Sequence, residues 1–451
     1  MNSIASTSDR TVELDRLATL AEDVIARARA AGATQAEVSA SVETGLNVNV
    51  RLGEVETVEH TRDRGFGLTV YFGQRKGSAS TADLKPESIQ ATLDQACAIA
   101  RHTEEDPYAG LADATRMAQA FPDLDLWHPW QPAVEEVIAI GQRIEHAGRD
   151  IQGIRNSEGA SVGTGASLGV YANSHGFLGR ESATRHTFSC SLIAGEGADM
   201  QRDYWYDTTR RVQDLMDAGE LGRETARRTL ARLGARGLST RQCPVVFAPP
   251  VARGLIGHLL AAISGGSLHR RASFLLDQKG EPVLPEWLSI TENPHLPRGH
   301  GSANFDAEGV ATVDSDIVRD GVLSRYLLGS YSARKLGLSS TGNAGGTHNV
   351  VVSHGEDDFQ DMLARMDTGL LVTEVMGQGV SIITGDYSRG ASGFWVENGR
   401  IVHPVQEVTI AANLREMFMG IGAVGADVDH RSSILTGSIL IDRMTVAGDA
   451  A

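Results

Sequence analysis

The chain has 451 residues, 57 of them acidic and 41 basic, and a formal net charge of −16. With 41 % hydrophobic and 22 % charged residues it has the balance of a soluble globular protein, not of a disordered one. The acidic excess argues against a non-specific nucleic-acid binder, the scattered Cys97, Cys190 and Cys243 exclude a disulfide framework or a CxxC metal knuckle, and no apolar run reaches the ~18 residues of a membrane span.

The opening residues, MNSIASTSDRTVELD, have no basic region followed by an apolar run, which predicts a cytoplasmic protein with no secretory signal. At roughly 150 residues per domain the length predicts two or three domains. Only Lys76, Lys85, Lys279 and Lys335 are lysines, so arginine supplies nearly all the positive charge. With 50 glycines, short glycine-based motifs arise by chance.

Residues 11–32 place Leu14, Leu17, Ala21, Val24, Ile25 and Ala28 on one helical face, with Gly32 as the stop. Between 36 and 82 the pattern alternates through Val38, Ala40, Val42, Val48, Val50, Leu68, Val70 and Phe72. Glycines 45, 53, 65 and 73 punctuate it, and three or four antiparallel strands are expected. A second helix is expected at 86–101, behind Pro86. Residues 103–132 break both periods and read as a long connection. The order then recurs: a helix at 133–149, a Gly-rich strand region at 151–210 and a helix at 219–234. We read 11–101 and 133–234 as two copies of one helix-strands-helix unit, with weak identity between them.

From about 240 the character changes. A strand at 243–249 leads into an apolar helix at 251–264. Irregular segments and hairpins follow, with Asp320-Gly321 and Asn398-Gly399 as turns and short helices at 357–366 and 412–419. The expected fold class is α+β, two domains of antiparallel sheets with flanking helices, over 1–238 and 239–451.

Most short motifs fail on context. GIGAVG (420–425) has a helix before it and a strand after it, the reverse of a dinucleotide site. Ser167 of GASLG lies within a strand pattern, not on a nucleophile elbow, and Ser332-Ala-Arg-Lys335 lacks the companion motifs of the penicillin-recognising enzymes. No two histidines are three or four apart, and His258 is followed by Leu259 where a metalloprotease base would stand. The run TGDYSRGASGFWVENG (384–399) is unusual. It sets Asp386, Tyr387, Ser388 and Arg389 beside Gly-Ala-Ser-Gly and then Phe394, which suits a peptide-binding strand edge. The competing reading is a tight Gly-rich connection in which Asp386 and Arg389 pair only with each other.

NSHG (173–176), YLLGSYSARKLGL (326–338), STGNAGG (340–346) and MGQGVSIITGDYSRGASGFWVENG (376–399) closely resemble the PmbA/TldE branch of the TldD/PmbA metalloprotease family, and the similarity runs over essentially the whole chain. The resemblance implies a cytoplasmic heterodimer with a TldD-like paralogue. That enzyme cleaves unfolded peptides, including a microcin leader and the antitoxin of a plasmid addiction system. It also implies an α+β fold with N- and C-terminal domains. In TldD the zinc motif is HExxxH, with a further cysteine ligand near the C-terminus. Here the corresponding helix reads GHLLAAIS (257–264), and residues 425–445 contain no cysteine. The expectation is therefore no catalytic residue, no metal and no cofactor in this chain. His258 is the degenerate motif position, zinc belongs to the TldD-like partner, and Asp386, Tyr387, Ser388, Arg389 and Phe394 are candidates for holding peptide. Neither nucleic acid nor membrane is an expected partner. The alternative is a stand-alone peptide-binding or regulatory homodimer without activity. A weaker one is an unconventional metal site around His258, His269 or His348.

Overall fold

The computed structural model describes residues 7–448, apart from the side chains of Thr7, Ser8 and Ala198. The N-terminal half runs α1 (Thr7–Ala30), β1 (Gln35–Arg51), β2 (Glu54–Phe72), β3 (Arg75–Thr81), α2 (Pro86–His102), then α3 (Val134–Arg149), β4 (Ile154–Asn173), β5 (Leu178–Ala194), β6 (Gln201–Thr209) and α4 (Ala218–Ala231). The strands form one antiparallel sheet in the order β3-β2-β1-β4-β5-β6, so each helix-bounded unit contributes three consecutive strands and the two units meet at β1–β4.

Alternation decides which face is buried. Val38, Ala40 and Val42 of β1 pack under α1 and α2, and Leu46, Val48 and Val50 of the same strand pack under α3 and α4. All four helices therefore cover one face. The opposite face carries Ser39, Ser41, Gly65, Gly67, Ser167 and Gly169, too small and polar to form a core.

The strands are longer than the glycine spacing suggests. β1, β2 and β4 have 17, 19 and 20 residues, against a usual length of about 5–6. Gly45 and Gly65 lie inside strands, whereas Gly53 and Gly73 turn the chain at positive φ. The β1–β2 turn at Leu52-Gly53 is held by Glu145 of α3, a fully buried carboxylate that accepts both backbone N–H groups at 2.8 Å.

The C-terminal half comprises β7 (Arg241–Phe247), α5 (Pro249–Ala262), α6 (Gly265–His269), β8 (Ile290–Glu292), β9 (Ser315–Arg319), β10 (Val322–Leu323), α7 (Ser330–Leu336), β11 (Val350–Val352), α8 (Phe359–Met366), β12 (Gly369–Met376), β13 (Asp386–Glu397), β14 (Arg400–Asn413), α9 (Leu414–Met419), β15 (Ile421–Val424), β16 (Ile434–Leu435) and β17 (Ile439–Ala447). Its larger sheet, β14-β13-β12-β7-β17-β15, has α5 on one face and α8 on the other. Both expected hairpin turns form, with Asp320-Gly321 and Asn398-Gly399 at positive φ. Parallel pairing occurs at β7–β12 and β11–β16, a departure from purely antiparallel sheets made by long crossovers. Among the described residues no helix is long and apolar enough to cross a membrane.

The 103–132 connection seams the halves together. Met117 bridges Val310, and Phe121, Tyr171, Phe177 and Phe305 form one aromatic cluster. Arg210 donates to Thr184 O, Gly299 O and His300 O.

A Cβ on Gly222 of α4 would stand 2.0 Å from Ile144 O of α3, so Gly222→Ala forces the helices apart. It should cost roughly 1–3 kcal/mol, read as a lower urea midpoint, because overpacking a tight contact is destabilising. Burial, and then the charges of Arg210 and Arg185, lower the His300 pKa from 6.5 to about 4. The folded state thus binds this proton less readily than the unfolded chain. Its stabilisation is complete above about pH 6.5 and is lost as pH falls through about 4. His300→Gln should flatten the fall in melting temperature between pH 7 and pH 5; unchanged slopes would exclude His300 as the source.

Candidate peptide site on the C-terminal sheet

The two sequence-derived candidates, His258 and the 386–389 run, come together in the fold. Pro249 and Pro250 start α5, whose residues Leu255, Ile256, Leu259 and Leu260 enter the core and leave His258 partly exposed. Its ring meets Tyr387 of β13 edge-on, with centroids 6.0 Å apart. Burial, and then the charge of Arg389, hold the His258 imidazole below its usual pKa, which favours the neutral form. Burial pushes the Tyr387 hydroxyl up to about 12, so it remains a donor at neutral pH.

The strand-edge expectation for 386–389 is corrected by the pairing. On one side β13 pairs with β14, Asp386 opposite Asn413 and Arg389 opposite Ile410. On the other, Ser388 N–H donates to Gly379 O at 2.7 Å and Ser381 N–H to Asp386 O at 2.8 Å. Both backbone edges are used, so a peptide cannot add as a strand here. Only the side chains remain to contact one.

Those side chains divide. Tyr387 and Arg389 point to the α5 side, whereas Asp386 and Ser388 are exposed on the other. Asp386 accepts from Thr384 Oγ1 at 2.7 Å and Arg389 Nε donates to Met376 O at 3.4 Å. The two are not an ion pair among the described residues, so the competing reading of a closed Asp386–Arg389 pair does not hold either. Phe394 lies beyond a bulge and packs with Met362, Leu363 and Val396 under α8, on the face away from His258. It belongs to that core and not to the His258 cluster.

The family's zinc does not fit these residues. Leu259 and Ile263, at the places of the glutamate and second histidine of HExxxH, are both completely buried in the apolar core. Among the described residues no three His, Cys, Asp or Glu side chains gather to hold a metal ion, and Cys97, Cys190 and Cys243 are separate, free and buried. His269 packs on Tyr331 and His348 bonds Glu292, so the weaker alternative of a metal site shared by His258, His269 and His348 finds no cluster. Arg389, Tyr387 and His258 can orient a polar chain.

Sequence reading missed a second polar cluster. Glu292 of β8 accepts from Arg325 at 2.8 Å, from Asn343 Nδ2 at 2.8 Å, and from the His348 backbone N–H at 2.7 Å. Burial raises its carboxyl, but the hydrogen bonds from His348 and Asn343 and the Arg325 charge outweigh it and hold the pKa below the usual value. The available signal was STGNAGG, whose Asn343 enters this network; Glu292 and Arg325 sit in segments with no periodicity.

Comparison with known proteins places the whole arrangement. Residues 36–100 match the PmbA/TldA metallopeptidase domain 1, residues 127–233 its central domain and residues 240–448 its C-terminal domain. The chain is 51 % identical to the metalloprotease PmbA of Escherichia coli O157:H7, over 92 % of each chain. It is 46 % identical to the PmbA homologue of Haemophilus influenzae over 99 % of each. The same organism's TldD homologue is 26 % identical over 60 % of each. A crystal structure from Bacteroides thetaiotaomicron, of a protein designated a modulator of DNA gyrase, superposes with a TM-score of 0.91 at 26 % identity, covering 99 % of this chain and 100 % of that one. Sequence, domain order and fold agree: this chain belongs to the PmbA/TldD metallopeptidase family.

Proposed function

We propose that this chain is the metal-free, PmbA/TldE-type subunit of a two-chain cytoplasmic peptidase, and that it holds unfolded peptide substrates while a TldD-like subunit supplies the zinc. The observation that carries this reading is α5. It keeps one histidine of a metal motif, His258, against Tyr387, while Leu259 and Ile263 fill the other two places with buried hydrocarbon. A lone imidazole cannot bind zinc in competition with three- or four-ligand sites. The separate PmbA and TldD homologues of Haemophilus influenzae support a division of labour between paralogues. Exposed Met376 and Ile383, 46 % and 62 % accessible beside β13, are apolar side chains of the kind a partner subunit covers. Microcin leaders and antitoxins are the substrates the family resemblance suggests.

The test is reconstitution. Purified alone, the chain should bind no stoichiometric zinc and leave an unstructured peptide intact. Co-expressed with a TldD-like chain it should copurify, and the pair should cleave the peptide until a chelator is added. His258→Ala should leave the zinc content of the pair unchanged. Chelator-resistant cleavage by the isolated chain would overturn the proposal. Peptide binding without cleavage, unaffected by any partner, would favour the stand-alone homodimer instead.

A further inference from the structure

A wide cleft lies away from α5. It has a volume of about 970 Å³ and separates the open face of the N-terminal sheet from two C-terminal loops, 305–307 and 344–348. Its floor is the small-residue face: Ser39 and Ser41 of β1, Gly65 and Gly67 of β2, and Gly169 of β4. Such a floor leaves room for a second backbone to lie close, but does not itself specify a ligand.

The specificity comes from His348 in the roof. It is 8 % exposed and donates through Nδ1 to Glu292 Oε1 at 3.1 Å. Glu292, 2 % exposed, is kept as a carboxylate by Arg325, Asn343 and the His348 backbone N–H. With Glu292 as acceptor at Nδ1, the neutral ring carries its proton on that nitrogen and a lone pair on Nε2. Nε2 has no partner among the described residues, and the ring lines the cleft. Glu181 of β5 lines the same cleft from the sheet side, where burial raises its carboxyl pKa. Asp306, the other acid in the lining, already accepts from the N–H groups of Glu308, Val310 and Ala344. Among the described residues no lysine or arginine lines the cleft.

Two hydrogen-bond acceptors, His348 Nε2 and the Glu181 carboxyl, thus line one cleft whose described lining holds no lysine or arginine. Their complement is a compact cationic donor, and an ammonium group has three N–H bonds to share. With two side chains and no third ligand, the pair falls short of a metal site. The sheet floor adds the second half of the recognition, a Ser/Gly bed bounded by Tyr171 and Phe305. The loop itself is shaped by STGNAGG: Gly345 and Gly346, at φ of +92° and +129°, turn the chain so that His348 returns over the sheet.

We propose that this cleft binds the protonated amino terminus of an extended peptide, with His348 Nε2 and Glu181 accepting from the ammonium and the first residues lying along the Ser/Gly face. This deepens the peptide-holding reading and rests on it for the nature of the ligand. It gives the chain a second contact with substrate, remote from His258 and independent of any partner.

The experiment uses the full chain alone and an unstructured, lysine-free ten-residue peptide labelled at its C-terminus, followed by fluorescence anisotropy. The free-amine peptide should bind at least about tenfold more tightly than its N-acetylated form, a difference of about 1.4 kcal/mol. Glu181→Gln and His348→Gln should each abolish most of that difference while leaving the melting temperature of the Glu181 variant unchanged. Equal binding of the two peptides, no binding by either, or full discrimination retained in both variants would overturn the proposal. So would an N-acetylated peptide with one internal lysine binding as well as the free-amine peptide, or stoichiometric zinc displacing the peptide. Because no cleavage and no partner are involved, failure here leaves the reconstitution result untouched, and failed reconstitution leaves this binding result standing.

Discussion

The two halves of the molecule are held face to face by guanidinium groups that donate to main-chain carbonyls across the boundary. Arg210 of the N-terminal half reaches Gly299 O and His300 O, and Arg116 reaches Ser340 O. In the opposite direction Arg334 reaches Tyr108 O, Gly110 O and Leu111 O, and Arg431 reaches Tyr206 O while its plane lies over Trp205. A planar cation with five N–H groups can serve several carbonyls at once and still stack on an aromatic ring, which a lysine cannot. Each such bond to a charged donor contributes roughly 1.5–3 kcal/mol when buried. Burial lowers the Arg210 pKa to about 10, which leaves it charged at neutral pH.

That seam determines where ligands can go. The four helices take one face of the N-terminal sheet, and the arginines hold the other face close to the C-terminal loops without filling the space between. The result is a polar cleft walled by Ser and Gly on one side and by the buried Glu292–His348 pair on the other. The second polar surface, around His258, Tyr387 and Arg389, belongs wholly to the C-terminal half. Beside it, Leu259 and Ile263 of α5 are sealed in the apolar core.

Much of the architecture was legible because it rests on periodicity. The helices at 86–102 and 134–149 and the Asn398-Gly399 hairpin are local patterns, and each forms close to its expected place. Strand length was not legible. Gly45 and Gly65 look like breaks, yet in the middle of a wide sheet a glycine is accommodated by its neighbours on both sides. Nor was the interior position of β13 legible, because whether a strand is an edge depends on which distant segments flank it. Here the flanks are β14, β12 and the loop at 379–381. Composition marked Asp386–Arg389 as unusual but could not say that its backbone was already paired, nor that Phe394 would turn to the α8 face.

By itself the sequence determined the helices, the hairpin turns and the family, since all three reside in local pattern or residue identity. Leu259 cannot act as a base whatever the fold around it. The tertiary structure decided which polar groups meet. Glu292, Arg325, Asn343 and His348 are spread over more than fifty positions, and only the crossing of β8, the 325 segment and the 343–348 loop brings them to hydrogen-bonding distance. Glu181 lines the same cleft as His348 from the other half of the chain, because the arginine seam sets that sheet face opposite the 344–348 loop. Hydrogen bonds act over about 3 Å, so a polar site assembled from distant segments is written in the packing and not in the order of the residues.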